Sequence, residues 1–305
     1  IACTVVSKDA SLLHGSNSEL AQGGIIYRPP DDRPEDLISD VKSAGESINF
    51  EPAINKLATE GIALVKEILM DGVRVPFDRH DADLHFTKEA AHDKARIIHV
   101  KDYTGKAIME HLLSEVRRSP LVSFLSGYIL VDILTSGHQC KGYAFKYRRN
   151  RCLGAYLFNP ESGTVKTLLA SHTILATGGV GQVYEYHTNG EQSFGSGLAA
   201  ANRARVRIIN ARFVQFHPTA LWTKRPGRRF LISEALRGEG ARLQNSKGQY
   251  FMDRFQLKDL ESRAVVSRAI MEELQKSRES HVFLNLSDHY RGSVHIRDRF
   301  PSIVA

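Results

Sequence analysis

The sequence has 305 residues, of which 42% are hydrophobic and 25% charged, and its formal net charge is +7 at pH 7. This length and composition are typical of a globular protein with up to two domains and exclude a disordered or fibrous chain. No apolar run reaches the roughly 18 to 20 residues of a membrane-spanning helix, so no membrane contact is expected. The basic residues are dispersed, and no aromatic residues are interleaved with them in a stripe, so nucleic acid is not an expected partner.

Three cysteines are scattered along the chain, at Cys3, Cys140 and Cys152. Their number and spacing predict neither a disulfide framework nor a zinc site. Such cysteine usage fits a reducing compartment, so a cytoplasmic location is expected.

The hydrophobic patterns change along the chain from helical to strand-like and back, which predicts an α/β fold. In chain order the predicted elements are a strand at 1–7, helices beginning at 35 and covering 53–70 and 104–116, strands at 121–125, 128–134, 142–147, 153–158, 164–168 and 172–176, a helix at 195–205, a strand at 213–221 and a helix near 262–276. The strand at 172–176 is apolar, and we expect it to be buried.

Two glycine pairs predict places where the backbone lies against a ligand. Gln22-Gly23-Gly24 follows a small polar run, and Thr177-Gly178-Gly179 follows the predicted strand at 172–176. Glycine has no side chain to hold a flat ligand away from the backbone. A glycine turn after a strand is also what a dinucleotide site requires.

The second half of the chain contains polar residues in apolar surroundings. Gln215 and His217 occupy alternate positions of the predicted strand, so both side chains face the same side. The segment 230–240 then places the hydroxyl of Ser233, two acids and an arginine between apolar residues. Such groups are costly to bury without partners, which predicts a polar network that faces a ligand.

Four motifs, taken in order, resemble those of the succinate dehydrogenase/fumarate reductase flavoprotein superfamily. They are Ala21-Gln22-Gly23-Gly24, Ala176-Thr177-Gly178-Gly179, Gln215-Phe216-His217-Pro218-Thr219 and the segment 233–240. The resemblance spans nearly the whole chain. It implies an incomplete Rossmann-like FAD-binding domain at 1–210, lacking the first βα unit and carrying an antiparallel strand insertion. Part of an α+β substrate-capping domain follows at 211–305.

The resemblance also implies which residues contact FAD. Respiratory members attach FAD covalently to a histidine shortly before the Ala-Gln-Gly-Gly motif; Asn17 stands there, which implies a non-covalent flavin. Ser196 stands where the family has an aspartate that contacts the flavin. The implied FAD contacts are Lys8, Asn17, Ser18, Ala21, Gln22, Gly23, Gly24, Leu130, Val131, Thr177, Gly178, Gly179 and Ser196.

Within the superfamily, the segment Thr87-Lys88-Glu89-Ala90-Ala91-His92 resembles that of the L-aspartate oxidases. A carboxylate at Glu89 can pair with the ammonium group of an amino-acid substrate, a group that succinate lacks. By position, the resemblance implies that His217 and Ser233 hold a substrate carboxylate, with Gln215 beside them. Arg263 matches the catalytic arginine, which exchanges a proton with the substrate or stabilises charge.

The expected function is FAD-dependent oxidation of L-aspartate to iminoaspartate, with oxygen or fumarate as acceptor, at the start of the quinolinate route to NAD. The labile product suggests handover to quinolinate synthase. Two alternatives stay open: a soluble fumarate reductase or succinate dehydrogenase-type flavoprotein, and a non-catalytic flavoprotein remnant. Ser196 and Ala264, which replaces the aspartate that usually follows the catalytic arginine, favour the remnant. His92 and His99 lack a third ligand at a suitable spacing, so no metal is expected.

Overall fold

The computed structural model describes residues 1–46, 48–137, 142–143, 147–287, 289–292 and 294–304. The chain divides into two compact units. Unit 1 comprises Ile1–Glu19, Ser114–Val214 and Pro226–Arg228. Unit 2 comprises Leu20–Leu113, Gln215–Arg225 and Arg229–Ala305. The domain boundary at residue 210 stays a prediction.

Helical structure lies in each segment where the sequence predicts a helix, and short helices that the sequence did not predict lie at Ala235–Gly238, Ile296–Arg299 and Pro301–Val304. The helices are α1 (Pro34–Ala44), α2 (Glu51–Lys56), α3 (Ile62–Leu64), α4 (Thr104–Arg118), α5 (Ser196–Arg203), α6 (Ala235–Gly238), α7 (Arg263–Ser277), α8 (Ile296–Arg299) and α9 (Pro301–Val304). Wider π-helical turns at Leu57–Gly61 and Val65–Gly72 connect α2 to α3 and continue α3. Shorter 3₁₀ turns lie at Gly181–Val183, Phe251–Arg254 and Lys258–Leu260.

The strands are short and belong to small sheets. They are β1 (Cys3–Ser7), β2 (Ile25–Ile26), β3 (Arg79–His80), β4 (Asp83–Leu84), β5 (Ile97–Ile98), β6 (Val122–Ser126), β7 (Ile129–Thr135), β8 (Cys152–Asn159), β9 (Thr164–Leu169), β10 (Tyr186–His187), β11 (Gly227–Arg228), β12 (Arg242–Gln244) and β13 (Phe283–Asn285). The mixture of helices and strands confirms the predicted α/β class.

Unit 1 contains a parallel pair and an antiparallel sheet. β1 pairs with β6 in parallel, whereas β7, β8 and β9 form an antiparallel sheet in that order. In β8, a Cβ on Gly154 would lie 1.9 Å from the carbonyl oxygen of Leu168, so only glycine lets β9 approach there. This antiparallel sheet confirms the predicted strand insertion. Half of the predicted strand at 142–147, residues 144–146, lies outside the described residues.

The small residues of α5 let it pack on the antiparallel sheet. Ala200 and Ala201 are buried against Ile133 of β7, and Leu130 packs beside them. Alanine allows this close approach because its side chain ends at Cβ. The sequence predicted this helix and its close packing correctly.

The prediction of a buried strand at 172–176 is wrong. These residues have no regular secondary structure and pair with none of the described strands, and the side chain of Ile174 is 90% exposed. The neighbour of β1 among the described strands is β6. A strand is stable only when a neighbour takes up its backbone hydrogen bonds, and apolar composition does not reveal whether that neighbour exists.

The described residues of unit 2 form three clusters of buried apolar side chains. The first lies around Ile98 and Phe77, the second around Val266 and Met252, and the third around Leu236 and Phe300. Helix α7 contributes Val266, Ala269 and Ile270 to the second cluster, and α6 contributes Ala235 and Leu236 to the third. Both helices therefore rest on packed cores, which hold their first residues in defined positions.

Candidate active site

Two segments of unit 2 pair as antiparallel neighbours and bring His217 towards Glu234. Leu221 N donates to Phe230 O at 2.8 Å, and a single bridge joins Ala220 to Leu231. The prediction that 213–221 forms a strand is wrong, because only this bridge has strand pairing. The polar residues that precede the bridge and those that follow it nevertheless lie at the same end of the pair.

Glu234 lies at the start of α6 and is buried. Ser233, which is 1% exposed, precedes it, and its Oγ accepts a hydrogen bond from Ala235 N at 3.2 Å. This contact satisfies a backbone donor at the beginning of the helix. The hydroxyl of Ser233, predicted to hold a substrate carboxylate, is thus fixed in place by the start of the helix.

Arg263 is the first residue of α7 and contacts two polar residues of unit 2. Ser262 caps the helix by accepting from Val265 N at 3.5 Å. Arg263 Nε donates to Glu234 Oε2 at 2.6 Å, and Arg263 Nη1 donates to Gln215 Oε1 at 2.7 Å. Its Nη2 has no hydrogen-bond partner in the described part of the chain. The guanidinium is therefore oriented on one side and free to meet a ligand on the other.

A second guanidinium lies on the other side of Glu234. Arg237 Nη2 is 3.2 Å from Glu234 Oε1, and Arg237 Nη1 donates to the carbonyl oxygen of Asp259 at 2.6 Å. Burial lowers the pKa of Arg237, and the carboxylate of Glu234 opposes that shift. The sequence predicted a polar network here but gave no separate role to Glu234 or Arg237. Their spacing of three residues, one helical turn, was the available signal.

Glu89 lies in the same unit and is held close by glycines. Gly24 N donates to Glu89 Oε1 at 3.4 Å, and a Cβ on Gly23 would lie 3.1 Å from that oxygen. A Cβ on Gly238 of α6 would lie only 2.3 Å from the carbonyl oxygen of Lys88. The absence of side chains at these glycines lets the segment that carries Glu89 pack closely on both sides.

Glu89, Glu234 and Arg263 share one electrostatic environment. Burial raises the pKa of Glu89, the negative charge of Glu234 raises it further, and the positive charge of Arg263 lowers it to a smaller extent. Two carboxylates that act on each other in this way favour a ligand that brings a positive charge. The structure thus brings together both residues predicted to be catalytic, Glu89 and Arg263.

His217 is neutral near pH 7. Burial, and then the charge of Arg263, lower the pKa of His217 to about 4. Its Nδ1 lies 2.9 Å from Thr219 O and 3.3 Å from Thr219 N, so Thr219 occupies this ring nitrogen in either tautomer. This leaves Nε2 to face a ligand.

The residues predicted to contact FAD fall in both units. Unit 2 contains Ala21, Gln22, Gly23 and Gly24, whereas unit 1 contains Lys8, Asn17, Ser18, Leu130, Val131, Thr177, Gly178, Gly179 and Ser196. Gln22 is buried and its Oε1 has no hydrogen-bond partner among the described residues. A flavin with N–H donors would satisfy this acceptor, so this part of the site fits the cofactor.

The glycine turn of unit 1 also fits a ligand. Gly178 has φ +72°, residues 171–179 are all exposed, and a Cβ on Gly179 would meet no atom within 4 Å. Gly197 of α5 lies so close to the turn that its Cβ would be 1.8 Å from Thr177 Oγ1. Ser196 begins the same helix. The turn therefore presents open backbone while its other side rests on α5.

Asn17 is held by its own unit. Its Nδ2 donates to Asn189 Oδ1 and to Ser193 Oγ, each at 3.1 Å, and its Oδ1 accepts from Gly190 N at 2.6 Å. These bonds occupy the side-chain amide and join two segments of unit 1. The expectation of a non-covalent flavin, which rests on Asn17, stays a prediction.

The other predicted flavin contacts of unit 1 have varied surroundings. Lys8 Nζ lies 5.1 Å from the centre of the Phe194 ring, and the carbonyl oxygen of Val131 accepts from Arg203 Nη2 at 2.7 Å. Ser18 is exposed.

The two histidines weighed as metal ligands have other contacts. His92 Nδ1 lies 3.1 Å from Arg96 Nη1, and His99 Nδ1 lies 3.1 Å from Asp78 Oδ2. Throughout the residues that the structure describes, no group of three or more metal-ligating side chains comes together.

Comparison with known protein families identifies the class of protein to which the chain belongs. Residues 2–305 match the family of FAD binding domains, and the chain therefore belongs to this family of flavoproteins, whose cofactor is FAD. Over the described ranges, no helix is both long enough and apolar enough to cross a membrane.

Individual proteins of known name show which members of this class the chain is similar to. The chain is 36% identical over 304 residues to L-aspartate oxidase 1 of Ralstonia nicotianae, covering 99% of this chain and 55% of that protein. It is 37% identical over 293 residues to the L-aspartate oxidase of Pseudomonas aeruginosa, covering 93% of this chain and 52% of that protein. The chain thus spans about half the length of these relatives. Its fold is similar to that of a quinol-fumarate reductase, with a TM-score of 0.84, 23% identity, and coverage of 98% of this chain and 52% of that one.

Proposed function

We propose that the protein to which this chain belongs oxidises L-aspartate to iminoaspartate, with oxygen or fumarate as the final electron acceptor. The observation that carries the proposal is the placement of Glu89 in the environment of Glu234 and Arg263. A second acid is costly in a site that binds only a dicarboxylate, since like charges repel. The ammonium group of an amino diacid compensates that charge. The similarity to two L-aspartate oxidases supports the same choice.

Oxidation of the amino acid removes a hydride from Cα and a proton from nitrogen, and leaves a C=N bond. FAD, when bound, supplies the hydride acceptor and passes the two electrons on to oxygen or fumarate. Glu89 holds the substrate ammonium group and accepts its proton. Its raised pKa makes the carboxylate a stronger base than an exposed glutamate.

The remaining residues orient the substrate. Arg263, held by Glu234 and Gln215, offers its free edge to a carboxylate and stabilises charge there. His217 and Ser233 hold a substrate carboxylate by hydrogen bonds, with His217 uncharged. Together these contacts fix which C–H bond faces the hydride acceptor.

The test is aspartate-dependent peroxide release by the full-length protein supplied with FAD, together with fumarate-dependent aspartate oxidation without oxygen. We expect activity in at least one assay. Absence of activity in both assays would refute the proposal that the protein is an oxidase. Faster turnover of succinate than of aspartate would instead favour the reading as a soluble fumarate reductase or succinate dehydrogenase.

The absorbance spectrum of the purified full-length protein tests the non-catalytic alternative. A protein that binds flavin is yellow. Ala264 does not leave Arg263 without orientation, because Glu234 and Gln215 hold the guanidinium. These two hydrogen bonds favour a catalytically active site. A colourless protein that takes up no added FAD would favour the remnant.

The wider role follows from the product. Iminoaspartate made by this reaction feeds quinolinate and hence NAD synthesis, and we propose its transfer to quinolinate synthase because the imine hydrolyses readily. Cys3 and Cys152 are exposed free thiols, which fits a reducing cytoplasm. Dilution of the two enzymes should prevent this handover. Quinolinate formation should then fall, because the imine hydrolyses before it is transferred.

A further inference from the structure

The segment 87–97, which we call the Glu89 loop, is closed at its two ends by the backbone. Thr87 N donates to Ile97 O at 2.9 Å, and Ile97 N donates to Thr87 O at 3.1 Å. Between these ends the carboxylate of Glu89 accepts one hydrogen bond from the described residues, from Gly24 N, and at 3.4 Å it is a weak one. The position of the Glu89 carboxylate therefore depends on what holds the loop.

Arg96 holds the loop from within. Its side chain is 0% exposed. Each of its five N–H groups has an acceptor. Nε and Nη2 donate to the two oxygens of Asp32, each at 2.9 Å, and Nη2 also donates to Asp93 at 2.6 Å. Nη1 contacts Asp40 and, at 3.1 Å, His92 Nδ1. The guanidinium has no spare donor.

These contacts join the Glu89 loop to the rest of unit 2. His92 and Asp93 lie in the loop, whereas Asp32 precedes α1 and Asp40 lies within it. Burial and the charge of Arg96 lower the pKa of His92, so Nδ1 of its neutral ring can accept a hydrogen bond from Arg96 Nη1. One buried guanidinium thus fixes the loop to α1 from two directions.

We propose that Arg96 is a positioning residue that fixes the carboxylate of Glu89 and, through it, the preference for a substrate with an amino group. The inference deepens the proposed oxidation of aspartate and rests on it. Lysine cannot replace Arg96 here, because a point charge with three donors cannot serve five acceptor directions or bind Asp32 through two parallel bonds.

The experiment compares Arg96→Lys with the control Arg268→Lys in the full-length protein loaded with FAD. Arg268 is an exposed arginine that pairs with Glu46 at 3.5 Å. We expect Arg96→Lys to lower kcat/KM for L-aspartate about tenfold, mainly through KM, and kcat/KM for succinate less than twofold. The control should change neither. Equal losses on both substrates would overturn the proposal, because they indicate general structural damage.

A double-mutant cycle tests whether Arg96 acts through Glu89. In the Glu89→Gln background, Arg96→Lys should cause no further loss on L-aspartate, since the carboxylate it positions is gone. Full additivity of the two losses would contradict the proposal. If Arg96→Lys does not fold, Asp93→Asn replaces it, because Asp93 is half exposed and makes one bond to Arg96.

Hydrogen exchange supplies a readout that needs no turnover. Amides of the Glu89 loop and Gly24 N–H should exchange faster in Arg96→Lys than in Arg268→Lys, while amides of α7 stay unchanged. Equal exchange in both variants would overturn the positioning role. A wild-type protein without aspartate activity would refute the proposed function, and the exchange data would then still decide whether Arg96 fixes the loop.

Discussion

Glu234 Oε2 lies 2.6 Å from Arg263 Nε, and the same carboxylate reaches Arg237 with its other oxygen at 3.2 Å. Glu234 is buried and Arg263 is about one-third exposed. The carboxylate therefore both compensates the buried Arg237 and sets the direction of the more accessible Arg263. Because charge-assisted hydrogen bonds are short and directional, this pair fixes the arginine more firmly than a surface ion pair would.

We expect Glu234→Gln to lower kcat for L-aspartate by about a hundredfold, with a smaller change in KM. Glutamine keeps an oxygen for Arg263 but removes the charge that holds and balances both guanidinium groups. Steady-state kinetics of the full-length protein with FAD measures the change. Glu272→Gln, at an exposed residue paired with Arg254, is the control and should leave kcat unchanged. A drop below threefold in Glu234→Gln would show that the charge is unimportant.

Glu89 makes the site dependent on pH. Burial and the charge of Glu234 raise the pKa of Glu89, so its carboxylate form is lost at a higher pH than that of an exposed glutamate. On acidification, kcat/KM for L-aspartate should fall while Glu89 takes up a proton, and this step should be absent in Glu89→Gln. The profiles of kcat/KM against pH for aspartate and succinate check this. A succinate profile with the same acidic limb would contradict the assignment.

The raised pKa of Glu89 also predicts how the stability of the fold depends on pH. An acid whose pKa is raised by folding contributes stability that is fully present below its unfolded pKa, near 4.5, and is lost as the pH rises through the folded pKa. At pH 7 the charge of Glu89 therefore destabilises the fold. Glu89→Gln should have a higher Tm than the wild type at pH 7, and the difference should vanish near pH 4. Thermal unfolding at both pH values tests this, and an unchanged difference would contradict it.

The element that carries two of the predicted site residues differs from the sequence prediction. Gln215 and His217 were placed on a strand, and the structure has only a bridge at Ala220 there. Arg263 nevertheless contacts Gln215 and lowers the pKa of His217. The identity of polar residues among apolar ones indicates a site even where strand pairing, which depends on distant segments, cannot be read locally.

Contacts between distant segments explain what the sequence did not reveal. Nothing in the local pattern indicates that Lys88 O packs on Gly238, or that Arg96 binds Asp32. Such contacts join residues that are far apart in sequence. The helices, in contrast, depend on local periodicity and capping, and α7 begins at the predicted place because Ser262 caps it.

His217 should make the protein less stable in acid. A histidine whose pKa is lowered by folding contributes stability that is present above its unfolded pKa, near 6.5, and lost as the pH falls through the folded value of about 4. The size of this contribution is roughly 3 kcal/mol at most. Denaturant unfolding between pH 7 and pH 4 should show a steeper loss in the wild type than in His217→Gln. The exposed His80 supplies the control variant His80→Gln, and an equal effect of both would contradict the assignment.

Gly238 tests whether the Glu89 loop must pack closely on α6. A Cβ at this position would lie 2.3 Å from the carbonyl oxygen of Lys88, and a backbone atom cannot move aside as a flexible side chain can. Gly238→Ala should therefore displace the loop, raise KM for L-aspartate about tenfold and destabilise the fold by about 1–3 kcal/mol.

Gly61→Ala is the matched control, because a Cβ there lies in a helical turn at 3.5 Å from Leu57 Cδ1, an ordinary contact. Alanine should stabilise that helix by about 0.5–1 kcal/mol and leave KM unchanged. Both variants remove a glycine, so the general effect of alanine on the unfolded chain is the same in each. A normal KM in Gly238→Ala would mean that the carboxylate of Glu89 reaches its place without this contact, and that the Arg96 network alone suffices to hold the loop.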